Sequence, residues 1–145
     1  MAMTTSLATT DEARGWQGEW VNAGRPHVLV VDDERLIRWS VAETLTARGM
    51  KVSQASDGAS AIHLIEHETE GFDVVVLDLR LPDVTDLSLL ASVRALSPQS
   101  RIIVMTAFGT QEATLQAIQL GAANVLLKPF AMEALEALVD AATQR

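Results

Sequence analysis

Four short apolar runs and one weaker one, each closing on a polar residue, limit what this chain can fold into. They are His27 to Val31 (HVLVV), Lys51 to Ala55 around Val52, Phe72 to Leu77 (FDVVVL), Arg101 to Met105 (RIIVM) and Asn124 to Leu127. The strongest are β-branched and do not alternate apolar with polar residues. A strand apolar on both faces must be covered on both faces, which is the situation of a parallel sheet with helices on either side. The stretches between the runs carry the helical period instead. Leu36 to Arg48 places Ile37, Val41, Thr44 and Leu45 on one stripe and stops at Gly49. Ala59 to Glu68 follows the turn Ser56-Asp57-Gly58 and carries Ala61, Ile62, Leu64 and Ile65. Leu87 to Leu96 has Asp86 as its expected N-cap and Pro98 beyond its end. Gln111 to Leu120 is closed by Gly121, and Ala131 to Thr143 repeats Leu135, Leu138, Val139 and Ala142 at amphipathic spacing. Five strand–helix units in succession predict an α/β fold, a doubly wound five-stranded parallel sheet with five helices.

The chain of 145 residues is long enough for one such domain and a tail, and 48% apolar against 21% charged residues suffices for one core. Residues 1–25 lack a sustained period and read as a flexible leader, with 26–145 as the domain. Trp16 and Trp20 stand at helical spacing in that leader; a loose segment is the expected reading, a short docking helix the alternative. The net charge of −8 repels a phosphate backbone, so direct nucleic-acid binding is not expected. There is no cysteine, which excludes disulfides, thiolate metal sites and a cysteine nucleophile. No apolar run approaches the roughly 18 residues that span a bilayer, and the start does not resemble a signal peptide; the expected location is cytoplasmic. His27, His63 and His67 share no ligand spacing with a carboxylate and are expected in structural or surface roles.

In open α/β sheets the ligand site lies outside the carboxyl ends of the strands. The first strand ends at Asp32 and Asp33, the third at Asp78, the fourth at Thr106 and the fifth at Lys128. Taken singly, each has an ordinary explanation: a turn, a helix cap or a surface charge. Together they place three carboxylates, a hydroxyl and an ammonium in one patch. Three clustered carboxylates are costly unless a cation neutralises them, and an all-oxygen set points to a hard divalent ion, Mg²⁺. Lys128 and Thr106 would then stabilise a phosphoryl dianion, and Asp78 is the carboxylate placed to act as nucleophile.

The segments VLVVDDE (Val28 to Glu34), VVVLDLRLPD (Val74 to Asp83), IIVMTAFG (Ile102 to Gly109) and LLKPF (Leu126 to Phe130) resemble the receiver domain of two-component response regulators. The likeness runs in register from about His27 to Thr143. It implies a flavodoxin-like strand order, 2-1-3-4-5. It also implies that Asp78 takes a phosphoryl group from a sensor histidine kinase and that Asp33, Asp78 and the Arg80 backbone carbonyl ligate Mg²⁺. Asp32 would act mainly through water or by positioning the ion, Thr106 would swing towards the phosphoryl group, Lys128 would pair with it, and the Lys128–Pro129 peptide would be cis. ERLIRW and VMTAFGT look most like the nitrogen-regulation (enhancer-binding activator) type, in which ATPase and DNA-binding domains follow the receiver; the expectation is an excised receiver serving transcription regulation, with a stand-alone receiver as the alternative. A homodimer through the fourth helix, fifth strand and fifth helix is implied on activation, with Leu115, Gln116 and Gln119 as candidate exposed positions.

Two positions depart from the family pattern. Val125 stands where many receivers have the aromatic partner of the threonine in the switch, and Thr85-Asp86 replaces a frequent Asp-Gly in the loop after the acceptor. The resemblance also implies that Arg80 and Phe108, each two residues beyond a site residue, flank the path of an attacking water, so slow loss of phosphate is expected. A Mg²⁺ phosphohydrolase is the enzymatic alternative, but Asp78-Leu79-Arg80 lacks the second acid that such enzymes use. The expectation is therefore self-phosphorylation and self-dephosphorylation only, with a non-phosphorylated interaction module as the remaining alternative.

Overall fold

The computed structural model describes residues 24–144. The leader's Trp16 and Trp20 lie outside the described residues. The elements are β1 (His27–Val31), α1 (Arg35–Ala47), β2 (Lys51–Ala55), α2 (Gly58–His67), β3 (Val74–Asp78), α3 (Ser88–Leu96), β4 (Arg101–Thr106), α4 (Gln111–Gln119), β5 (Ala122–Leu127) and α5 (Met132–Thr143). All strand pairings are parallel, and the order across the sheet is β2-β1-β3-β4-β5.

Successive side chains of a strand point to opposite faces, and both faces here are covered. Leu29, Val31, Val75, Leu77, Ile102 and Val104 pack on one side with Ala61 and Ile65 of α2, Leu90 and Val93 of α3 and Ala117 of α4. Val28, Val30, Val74, Val76, Ile103 and Met105 pack on the other with Val41 and Leu45 of α1 and Leu135 and Val139 of α5. Arg48 at the end of α1 ion-pairs with Glu136 and Asp140 of α5, tying the two helices of that layer together.

The differences from the expected boundaries have local causes. Phe72 precedes β3 rather than opening it: it is buried, and its ring packs against His27, 4.4 Å between centroids. β5 begins at Ala122 rather than Asn124, because Ala122 pairs with Ile102 ahead of a register shift. Asp86 does not occupy the N-cap of α3, which falls on Leu87, yet its Oδ1 accepts from Ser88 N at 2.9 Å and so covers an N–H of the first turn. α2 receives two carboxylates at its N-terminus: Asp57 accepts from Ser60 N, and Asp83, from the loop after β3, accepts from Gly58 N and Ala59 N. These bonds hold the Asp83 carboxyl below its usual pKa. Gly49 and Gly121 end α1 and α4 with φ of 90° and 110°, a backbone that suits glycine.

Candidate functional site

Strand register brings the site residues to one edge. Val31 lies beside Leu77, Asp78 beside Met105 and Thr106 beside Leu127. The residues that continue each strand are held by backbone hydrogen bonds, from Asp32 N to Ala55 O, Leu79 N to Met105 O and Lys128 N to Thr106 O. The Lys128–Pro129 peptide is cis.

The Lys128 ammonium is the centre of the cluster. It donates to Asp32 Oδ2 at 2.9 Å, Asp78 Oδ2 at 3.1 Å and Glu34 Oε1 at 3.2 Å. Burial alone would lower the Lys128 pKa, but its hydrogen bonds to Asp32 and Asp78 and their negative charges outweigh this and raise it. Asp32 is fully buried. Burial pushes its pKa up, aided by the Asp78 charge, while hydrogen bonds from Glu34 N and Lys128 oppose the rise. The rest of Asp32 is held just as firmly: Oδ1 accepts from Glu34 N at 2.8 Å, and its carbonyl accepts from Arg38 Nη1 at 2.8 Å.

Asp78, also buried, uses Oδ1 to accept from Arg80 N at 3.0 Å. Its carboxylate reaches a cavity of about 290 Å³ lined with Asp33, Glu34, Arg80, Ala107 and Lys128. Carboxylate oxygens of Asp32, Asp33 and Asp78 lie within 4.8 Å of one another. The single ammonium leaves this oxygen set electron-rich, and a hard divalent cation fits it.

Thr106 is buried at the end of β4 and does not line the cavity; its Oγ1 accepts from Phe108 N at 3.0 Å. That bond leaves the hydroxyl hydrogen free to donate. Val125, half-buried, pairs with Val104 and packs against the α2/α3/α4 side of the core. The Arg80 guanidinium stacks over the Phe108 ring, 4.1 Å from its centroid, so the two expected flanking side chains touch each other.

Sequence reasoning brought Asp32, Asp33, Asp78 and Lys128 together correctly. It missed Glu34 and Arg38. Glu34 adjoins the acidic pair and was visible, but its partner lies 94 residues away, and only the fold shows that the two meet. The histidines are apart from the site. His27 is buried beneath Phe72, and His63 and His67 are exposed on α2.

Residues 28–140 match the model of the response regulator receiver domain. Among curated relatives, the DNA-binding transcriptional regulator NtrC of Escherichia coli is 34% identical over 115 residues, 79% of this chain and 24% of that protein. The chemotaxis protein CheY of Bacillus subtilis is 32% identical over 104 residues, 71% of this chain and 85% of that protein. The chain thus spans about a quarter of the length of NtrC and of the regulatory protein AtoC of Escherichia coli. A solved response regulator from Burkholderia pseudomallei, with a phosphorylated aspartic acid, a calcium ion and citrate, superposes with a TM-score of 0.71 at 34% identity, covering 77% of this chain and 65% of that one. A CheY-like receiver from Methanospirillum hungatei gives a TM-score of 0.76 at 25% identity, covering 81% and 93%. With the matching model spanning almost all of the described residues, and the acidic strand ends where such a domain needs them, the chain belongs to the response regulator receiver domain family.

Proposed function

We propose that Asp78 accepts a phosphoryl group from a phosphohistidine of a sensor kinase, and that the domain then switches to control a transcriptional output carried elsewhere in the protein. The observation that supports this most is the Lys128 ammonium 3.1 Å from Asp78 Oδ2 at the mouth of an acid-lined cavity. A carboxylate oxygen of Asp78 attacks phosphorus, the P–N bond of the donor breaks, and the imidazole leaves with a proton. Lys128 neutralises charge on the transferred oxygens, and the free Thr106 hydroxyl hydrogen turns to one of them. Asp33, Asp78 and the Arg80 carbonyl, with Asp32 behind them, would hold Mg²⁺, which would supply the further positive charge that the transfer needs.

The chemistry stops at self-phosphorylation and self-dephosphorylation, and the Arg80–Phe108 stack makes the second slow by covering the approach of water. An apolar groove of about 560 Å³ between α1 and α5, with Leu36, Ile37, Phe130 and Met132 in its wall, shares Glu34, Ala107 and Lys128 with the acidic mouth and suits a protein donor. Leu115, Ile118 and Leu127 are exposed on α4 and β5, the surface on which the phosphorylated form pairs with a second copy. Among the described residues no helix is long and apolar enough to cross a membrane. The acidic charge supports a domain that does not itself bind nucleic acid, and the proposed signalling role places the protein in the cytoplasm.

The test is intact mass after incubation with Mg²⁺ and acetyl phosphate. The wild type gains one phosphate and Asp78→Asn gains none. A phosphate retained in Asp78→Asn moves the acceptor elsewhere, and turnover of donor without accumulation makes the protein a phosphatase.

A further inference from the structure

Lys128 has three N–H donors, and carboxylates occupy all three. A phosphoryl oxygen that pairs with this ammonium must displace one of them. The bond to Asp32 is the hardest to give up, because that side chain is fully buried, as its relative exposure of 0% shows, and losing Lys128 would strand its charge. Asp78 is the acceptor itself. Glu34 remains. Its side chain is 59% exposed and can rotate into solvent at little cost. Its backbone N–H, bonded to Asp32 Oδ1, stays fixed while the carboxylate moves.

Resting on the acceptor role of Asp78, we infer that Glu34 is a resident counter-ion, which holds the phosphoryl-facing donor of Lys128 in the resting protein and competes with the incoming phosphoryl group for it. Glu34 is thus a positioning residue that acts through Lys128. It keeps the ammonium fully paired at rest and releases it on phosphorylation. Glu34 also forms part of both the acidic cavity and the neighbouring apolar groove, so a protein seated in that groove would meet the side chain that must move.

The test is the initial rate of phosphorylation by sub-saturating acetyl phosphate at saturating Mg²⁺, read by intact mass, for the wild type, Glu34→Gln and Glu34→Asp. Glu34→Gln is expected to react about two- to five-fold faster, the range an exposed ion pair supports. Glu34→Asp keeps the charge but loses a methylene of reach, and is expected to behave like Glu34→Gln. Raising the salt should close the gap between Glu34→Gln and the wild type. Equal or slower reaction of Glu34→Gln overturns the inference. So does a wild-type rate in Glu34→Asp, which would mean that Glu34 contributes only to the general field. Failure of the wild type to take phosphate at all, with the protein folded, removes the acceptor reading and this inference with it.

Discussion

Asp32 and Asp78 are buried carboxylates whose charge one ammonium must balance, and the chemistry of the site follows from that imbalance. A metal-ready acidic cluster, with a lysine already bonded to the acceptor, needs no large rearrangement before transfer. On the proposed function, the residues beside it would set how long the product lasts. The Arg80 guanidinium lies 4.1 Å over the Phe108 ring, and Arg80 N bonds to Asp78, so removing the ring frees the long cation next to the acyl phosphate. The phospho-form of Phe108→Ala is expected to decay several-fold faster than the wild type, measured by loss of the phosphate mass after donor removal. A longer half-life in the variant would show that the ring does not shield the bond. The charged residues at the strand ends were legible in the sequence because each terminates a strand of recognisable composition. Glu34 and Arg38 were not, since their roles depend on helix α1 starting where it does and on side-chain reach across the sheet edge. Thr106 was legible as a member of the set, but not that its oxygen would be occupied by Phe108 N.

At the scale of elements, the opposite end of the sheet carries a pH-sensitive joint. His27 opens β1, and its Nε2 hydrogen-bonds Ser53 Oγ of β2 at 3.0 Å while the ring packs on Phe72 before β3. Its Nδ1 is 4.0 Å from Glu68, beyond α2. Burial lowers the His27 pKa, with the Lys51 charge adding to the effect and Glu68, Asp73 and the Gly71 backbone opposing it. Below the ordinary histidine value of about 6.5 the unfolded chain therefore binds the proton more readily than the native one. This contribution to stability is present above that pH and is lost as pH falls towards the lowered native value, with a slope of at most about 1.4 kcal/mol per pH unit. Urea unfolding of His27→Phe, which keeps a packed ring without the titration, should show a flatter decline on acidification than the wild type. An unchanged slope would assign the decline to other groups. The elements themselves were readable because apolar runs and helical stripes alternate so regularly. Their edges were less so: nothing local to Phe72 says that its ring packs against His27, and the start of β5 depends on the register of its partner β4.

For the whole molecule, the two-sided core fixes the sheet, and the sheet order β2-β1-β3-β4-β5 then brings Asp32, Asp78, Thr106 and Lys128 to one edge from across the sequence. α1 and α5 flank one side of the site and α4 with β5 lies on the other. A change at Asp78 thus has short routes to the apolar groove between α1 and α5 and to the exposed Leu115, Ile118 and Leu127. On the proposed function, the switching equilibrium between these surfaces would be driven by the contacts that a phosphoryl group makes with Lys128 and Thr106 and that the resting state lacks. All of it depends on an acyl phosphate forming at a single carboxylate. Borohydride reduces such a mixed anhydride to the alcohol, so trapping the Mg²⁺- and acetyl phosphate-treated protein and sequencing its peptides by mass spectrometry locates the bond. Homoserine at position 78 and unaltered aspartate at 32 and 33 is the expected result; homoserine at 32 or 33, or at no position in a protein that has gained phosphate, contradicts it.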